Sequence, residues 1–424
     1  MNAPGLPGRL LRMATVDVRP LRRREFRLLF VGQLVSFFGT QVTEVAIPFQ
    51  VFQLTHSPFA LGLVGLVQLG PVLGFAFLGG LLADARDRRA MVLVTELAFT
   101  AMSALLLVNA LLPRPQLAAI YVIAALQAGL FALQRPSLDA MLPRLVPAEE
   151  LTAAGALAHL RSGTGFVLGP AFAGALIALA GLPAAYAVDV LTFGFSLLAL
   201  WLMRAMPPAL QAERPSLRRL REGLAHAWSR PELLGSYLVD MVAMLFGFPI
   251  ALLPAVAAGF GGAGALGLLF AAPAVGALLA SATSGWTSRI HRHGWGVILA
   301  AIGWGLGIAA FGFAGSLPTA LLCLALAGGA DSISGIFRGA IWNRTIPDAL
   351  RGRLAAIELV SYSSGPLLGD FEAGVVATLF SVRVSIVSGG LLCVVGCALC
   401  ALLLPAFRAY DARGWTAGPE GGKS

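Results

Sequence analysis

Long apolar runs separated by short, arginine-bearing segments give the 424-residue chain its pattern. Twelve such runs lie at 27–53, 59–83, 90–112, 116–137, 151–180, 184–204, 232–257, 265–288, 295–314, 318–341, 355–380 and 385–406. A helix needs about 20 mostly apolar residues to cross the roughly 30 Å hydrocarbon core, so each run suffices for one pass. A membrane β-barrel would alternate apolar and polar positions over about 10-residue segments, and stretches such as Ala101–Leu112 show no alternation. Away from water each backbone amide must be paired within its own segment, which makes the runs helices. The expected fold is an all-α integral membrane protein with twelve transmembrane helices.

The longest polar connection, 205–231, carries Leu217, Leu220, Leu224 and Trp228 on one helical stripe, with Arg218, Arg219 and Arg221 on the other side. That spacing predicts an amphipathic helix lying on the membrane surface. The runs on its two sides repeat one another. Pro71-Val72-Leu73-Gly74 in the second run is matched by Pro273-Ala274-Val275-Gly276 in the eighth, at an offset of 202. Arg144-Leu145-Val146-Pro147 is matched by Arg344-Thr345-Ile346-Pro347 at an offset of 200, and Gly169-Pro170 by Gly365-Pro366 at 196. Three matches in one order at nearly constant offset point to a duplicated six-helix unit. The expected organisation is an N-terminal segment 1–25, a six-helix bundle 26–204, the linker 205–231, a pseudo-symmetric second bundle 232–407 and a tail 408–424. Parallel halves with a binding site between them near the midplane describe a secondary transporter that rocks between two open states.

Charge sharpens this picture. Hydrophobic residues make up 58% of the chain and charged ones only 12%, about half the roughly 25% of a soluble domain. The 30 Lys and Arg outnumber the 21 Asp and Glu by nine, and all the cations but Lys423 are arginines. A nucleic-acid surface would gather that excess on one face of a soluble domain, whereas here it is divided among the connections between apolar runs. With twelve passes, one side of the membrane receives the N-terminal arginines, Arg86, Arg88, Arg89, Arg135, Arg144, Arg204 to Arg230, Arg289, Arg292, Arg338 to Arg353, Arg408, Arg413 and Lys423, and the other only Arg114 and Arg383. The positive-inside rule then puts both termini in the cytoplasm of a multi-pass protein of the cell (inner) membrane. The first run is too long for a signal-peptide core and stays as a helix. Cys323, Cys393, Cys397 and Cys400 all lie within runs, and Cys397-Ala-Leu-Cys400 lacks the βαβ context of a redox motif, so the cysteines read as packing residues.

The turn after the second run, Gly80-Leu81-Leu82-Ala83-Asp84-Ala85-Arg86-Asp87-Arg88-Arg89, resembles the G-x-x-x-D-x-x-x-R-R motif of the major facilitator superfamily, with Asp87 where Gly is commonest. The resemblance implies that Asp84, Arg88 and Arg89 form a charge cluster latching the halves at the cytoplasmic face. Asp139 and Arg338, near the same ends of their helices, are expected to join it. The corresponding turn of the second half, Gly285-Trp286-Thr287-Ser288-Arg289, has lost the acid. Gly165-Phe166-Val167-Leu168-Gly169-Pro170-Ala171-Phe172-Ala173-Gly174 is similar to the superfamily's antiporter motif, G-x-x-x-G-P-x-x-G-G, which implies an exporter and singles out Gly165, Gly169, Pro170 and Gly174. Multidrug exporters carry an arginine in the fourth helix, and none occurs between Arg114 and Arg135. Over nearly its whole length the chain looks closest to the enterobactin-exporter-like, or transmembrane secretion effector, branch, through short segments such as Leu253-Pro254-Ala255 and Leu269-Phe270-Ala271-Ala272-Pro273.

A charge at the bilayer centre costs at least about 2.5–3.5 kcal/mol, so ionisable residues inside the runs are candidates for function. Besides Glu96 these are Glu44, Arg161, Asp189, Asp240, Asp331, Asp370 and Glu372, taken as proton-coupling or cavity residues with Asp240 and Glu44 foremost and Arg161 as the cation for an anionic group. Phe37, Phe38 and Trp304 are aromatic candidates for the cavity wall. No H-E-x-x-H or G-x-S-x-G occurs, and the tail Gly422-Lys423-Ser424 lacks the first glycine of a P-loop, which argues against an enzyme or an ATP-driven pump. The expected function is proton-coupled export of a small amphipathic, siderophore-like molecule by a monomer. It would have no bound cofactor or metal, and its partners would be its substrate and the bilayer, with no nucleic acid. Multidrug efflux is the alternative, and a binding protein that has lost turnover a remoter one. Asp84→Asn should slow cycling at normal expression levels; transport at the native rate would refute the latch.

Overall fold

The computed structural model describes residues 17–85, 87–206, 225, 228–346 and 351–413, the side chains of 77, 80–85 and 351–361 aside. The proposed surface helix around 217–228 therefore lies outside the described residues, Ala225 and Trp228 excepted, as does the side chain of Asp84. The first half comprises α1 (Arg24–Thr55), α2 (Pro58–Ala85), α3 (Arg88–Leu111), α4 (Leu117–Leu145) and α5 (Leu151–Trp201). The second comprises α6 (Pro231–Phe246), a short α7 (Leu253–Ala258), α8 (Ala263–Ala282), α9 (His293–Phe311), α10 (Leu317–Thr345), α11 (Arg351–Leu379), α12 (Val382–Leu403) and the single turn α13 (Pro405–Arg408).

Among the described residues ten helices are long and apolar enough to cross a bilayer, where twelve runs were expected. Two local features account for the difference. The runs 151–180 and 184–204 are one 51-residue helix, α5, interrupted at Gly181. The run 355–380 is helical within α11 but carries Asp370 and Glu372 and falls outside the ten. At 1.5 Å per residue a straight α5 would be about 75 Å long, more than twice the hydrocarbon thickness, and it is not straight. On its first arm Gly165 packs on Phe37 and Gly169 on Gln41, so this arm runs parallel to α1. On its second arm Tyr186 bonds Gln50, Asp189 bonds Thr43 and Ala199 packs on Gly32, so this arm runs back. The reversal needs the positive φ of +79° that Gly181 adopts, a conformation without steric cost only for glycine.

Other boundaries also shift. Asp87 caps α3, its carboxylate accepting the Ala90 N–H at 2.8 Å, so the residue that departs from the family's usual glycine starts a helix. The fourth run continues through Pro136 and Pro143 to Leu145. The seventh breaks at Gly247 and Pro249 and resumes at Leu253.

Glycine lets backbone approach backbone within each half, as where Gly328 of α10 meets Pro273 of α8, and the halves meet in the same way. A methyl group added at Gly62 of α2 would lie 2.7 Å from Asp370 O, and one at Gly374 of α11 would lie 2.7 Å from Pro58 O. On the other flank a methyl at Gly174 of α5 would come within 2.5 Å of Ala263 O, and Gly267 of α8 faces Pro170 O. The two crossings are copies of each other, since Gly62 corresponds to Gly267 and Gly174 to Gly374 at nearly the offset of the sequence repeat. Both lie at the face away from the chain termini, where Phe59 also meets Phe371 with ring centroids 6.2 Å apart. The closed end is thus the far face. Gly174→Leu should pry it open. With the four native cysteines replaced by alanine and a cysteine placed at 371, a bulky maleimide that cannot cross the membrane, added at the far face, should react faster when Gly174→Leu is also present; an unchanged rate would mean that this crossing does not close that face.

Candidate functional site: a charged aromatic cavity and a polar seam

On the terminal side of the second half, α6, α10 and α11 enclose a cavity of about 440 Å³. Its charged wall is Arg338 of α10, ion-paired to Asp240 of α6 and 3.4 Å from Asp331 two turns earlier on its own helix. Asp240 is buried, Arg338 mostly so, and Asp331 is accessible. The aromatic wall is Tyr237 packed edge-on to Trp342 at 5.1 Å, with Tyr362 opposite. Helical spacing produces the arrangement: Tyr237 and Asp240 are three residues apart, Asp331 and Arg338 seven, and Arg338 and Trp342 four, so each set shares one helix face.

Arg338 was expected at the cytoplasmic latch with Asp84, Arg88, Arg89 and Asp139. Its described partners are instead the carboxylates of its own half, because a buried guanidinium is tolerable only with its charge paired. Asp139 pairs at 3.0 Å with Arg135, one turn away on the exposed face of α4. Arg88 donates to Ala140 O at 3.1 Å, and Arg89 to Leu200 O and Trp201 O, each at 2.7 Å. The two arginines of the turn therefore hold the terminal ends of α4 and α5, where carbonyls lack helical partners and a cation complements the helix dipole. Asp87 also accepts the Met206 N–H at 2.8 Å.

Within the first half, Arg161 lies over the Phe37 ring, 6.0 Å from its centre, with no ion pair among the described residues. Phe37 meets Phe166 edge-on at 5.2 Å and Phe38 meets Phe172 at 5.3 Å. Trp304 is not a cavity residue: it is buried in the second half, against Phe248 and Gly247. Of the antiporter-like motif, Gly165 and Gly169 let α1 approach α5, while Pro170 and Gly174 form the crossing to α8.

The carboxylates of the first half are set among neutral donors. Asp189 accepts Thr43 Oγ1 at 2.7 Å and Ser103 Oγ at 2.6 Å on one oxygen. Glu96 accepts Gln33 Nε2 at 2.7 Å and Gln134 Nε2 at 3.2 Å. Glu44 is accessible beside this buried seam. Asp370 accepts the Ala251 N–H at 2.9 Å, a donor released by the break between α6 and α7. Glu372 is partly buried, with no ion pair among the described residues. Glu96, left out of the leading candidates, has as full a set of side-chain donors as Asp189. The stripe Gln33, Ser36, Thr40, Thr43 at helical spacing along α1 was the signal for it.

The family of sequences described as transmembrane secretion effector matches residues 15–419. The chain belongs to that family. Among its relatives are enterobactin exporters from Citrobacter koseri, 29% identical over 93% of this chain and 94% of theirs, and from Shigella boydii, 28% identical over the same shares. Solved structures with the same fold include a bacterial homologue of the lysosomal transporter Spinster, inward-facing and unoccupied (TM-score 0.72, 15% identity, 95% of this chain and 100% of that one). Another is a bacterial homologue of the iron transporter ferroportin, inward-facing (TM-score 0.66, 17% identity, 91% and 99%). This member of the family thus has the major facilitator fold and is a multi-pass membrane transporter, not an enzyme.

Removing one partner of a buried ion pair strands the other, a cost of about 3–5 kcal/mol. Arg338→Ala should therefore destabilise the transporter strongly in detergent, whereas the double variant Arg338→Ala/Asp240→Ala should recover part of the loss. Thermal unfolding of the three proteins measures this, and strictly additive losses would show that the pair is not coupled.

Proposed function

We propose that the protein exports a small amphipathic molecule bearing catechol-like aromatic rings, and that the proton gradient drives it. The observation that carries this is the cavity: about 440 Å³, within the range of small-molecule sites, with a guanidinium beside an edge-on pair of aromatic side chains. A catechol ring can stack on Tyr237 and Trp342 while its hydroxyls meet Arg338 and Asp331. The enterobactin exporters among the relatives support a siderophore-like substrate, and the antiporter-like Gly165 to Gly174 segment supports export. If the arginine-rich face is cytoplasmic, both termini lie in the cytoplasm and the cavity opens to the compartment from which an exporter loads.

In this reading residues 26–204 and 232–407 rock about the glycine crossings, and the turn of Asp84, Arg88 and Arg89 gates the cytoplasmic side. The protein works as a monomer in the inner membrane without a bound cofactor. Each proton returning across 100 mV releases about 2.3 kcal/mol. The cavity also supports a second reading, multidrug efflux, since two carboxylates face one guanidinium and the surplus negative charge suits a cationic aromatic drug.

Inverted vesicles decide between them. Enterobactin uptake that collapses with a protonophore, and that Trp342→Ala weakens mainly through KM, is the expected result; ethidium transported in its place would establish the second reading, and enterobactin uptake that survives collapse of the gradient would refute proton coupling.

A further inference from the structure

Asp240 and Asp331 face a cation, but the buried carboxylates of the first half, Asp189 and Glu96, have no ion pair among the described residues. Asp189 is fully buried and Glu96 almost so, and no described arginine pairs with either. Asp189 also leaves its second oxygen, Oδ1, buried without a hydrogen bond, and the buried Ser196 hydroxyl is near enough to Glu96 to act on it. Two unpaired carboxylates in such surroundings would each cost several kcal/mol if ionised. Replacing either by an amide would remove the charge and keep the shape, so packing alone does not explain them.

The acids also fall in sequence. Asp189 lies near enough to act electrostatically on both Glu96 and Glu44, and Glu44 on Asp370. By helical rise, Glu96 lies about 12 Å in from the terminal end of α3 and Asp189, level with Ser103, about 22 Å in. Glu44 is next to Thr43, which bonds Asp189. Asp370 lies beside the crossing at Gly62, near the far face. The titratable and polar groups around the series are Gln33, Thr43 and Glu44 from α1, Ser103 from α3, Gln134 from α4 and Tyr186, Thr192 and Ser196 from α5. Toward Asp370 the only described charge is Glu44, with the Ala251 N–H as donor.

We propose that Glu96, Asp189, Glu44 and Asp370 are successive stations of a proton path that runs through the first half and ends at the contact between halves, apart from the substrate cavity of the second half. A proton enters at Glu96, passes by way of the Ser196 and Thr192 hydroxyls to Asp189, moves to the accessible Glu44, and reaches Asp370 when the halves are closed at the far face. Export would run the path in reverse, with Asp370 loading from outside. Because Asp370 packs its backbone against Gly62 across the crossing, opening the far face separates Glu44 from Asp370, which ties the proton step to the conformational one. The path rests on proton-coupled export as proposed above.

The test is pH-difference infrared spectroscopy on the full chain in liposomes, read beside gradient-driven enterobactin transport in the same preparations. The native protein should show carboxylic-acid C=O bands; Asp189→Asn and Glu96→Gln should each remove one, Asp189→Glu should keep it at a shifted position, and Asp189→Asn should lose gradient-driven transport. Bands unchanged in both amide variants, with transport still following the gradient, would overturn the path and leave proton coupling intact. Transport by the native protein that ignores the gradient would overturn the coupling and the path together.

Discussion

Everything at the far face depends on two places where backbone touches backbone. In hydrocarbon an apolar side chain gains nothing by leaving lipid for a neighbouring helix, so association rests on close packing and on polar contacts. Gly62 with Gly374, and Gly174 with Gly267, let backbones touch directly, one crossing on each flank of the molecule. Since the crossings are related by the internal repeat, the halves meet symmetrically, and a rocking motion can use both as fulcra. The cavity beside Arg338 lies on the side these contacts leave apart.

The scaffold is symmetric but its polar content is not. In the second half charge is neutralised locally, by a guanidinium between two carboxylates and beside aromatic rings. In the first half the buried carboxylates Asp189 and Glu96 are held by hydroxyls and amides. Hydrogen bonds from neutral donors favour the ionised carboxylate less strongly than a neighbouring arginine does. The two halves thus offer a carboxylate different surroundings, and the proposed split between substrate recognition and proton movement rests on that difference.

The helices and the repeat were legible because the membrane enforces both: an apolar run of fixed length has one outcome, and the Pro and Gly offsets survive duplication. Asp87 could not be foreseen as a helix cap, since its departure from the family pattern looked like simple loss. The partners of Arg338 were also hidden. Depth along a helix places a residue near an end but does not say which neighbour its side chain meets, and here Asp240, nine residues into α6, comes level with it. The two acids favoured from the sequence, Asp240 and Glu44, proved different in kind, one paired with a cation and the other accessible beside a buried acid. The neutral donors around Asp189 went unread because a lone Ser or Thr in an apolar helix is common, and only the spacing of Gln33, Ser36, Thr40 and Thr43 distinguishes them.

The fold-back at Gly181 has a consequence of parity. A single uninterrupted pass over 151–201 would leave the chain on the far face at α6 and invert every helix after it. Arg230, Arg289, Arg292 and Arg408 would then lie across the bilayer from Arg23, Arg24, Arg88 and Arg89, and the two copies of the repeat would be antiparallel, with no crossing shared between them. One residue's permission to adopt a positive φ thus decides on which side of the membrane half of the protein's charge resides.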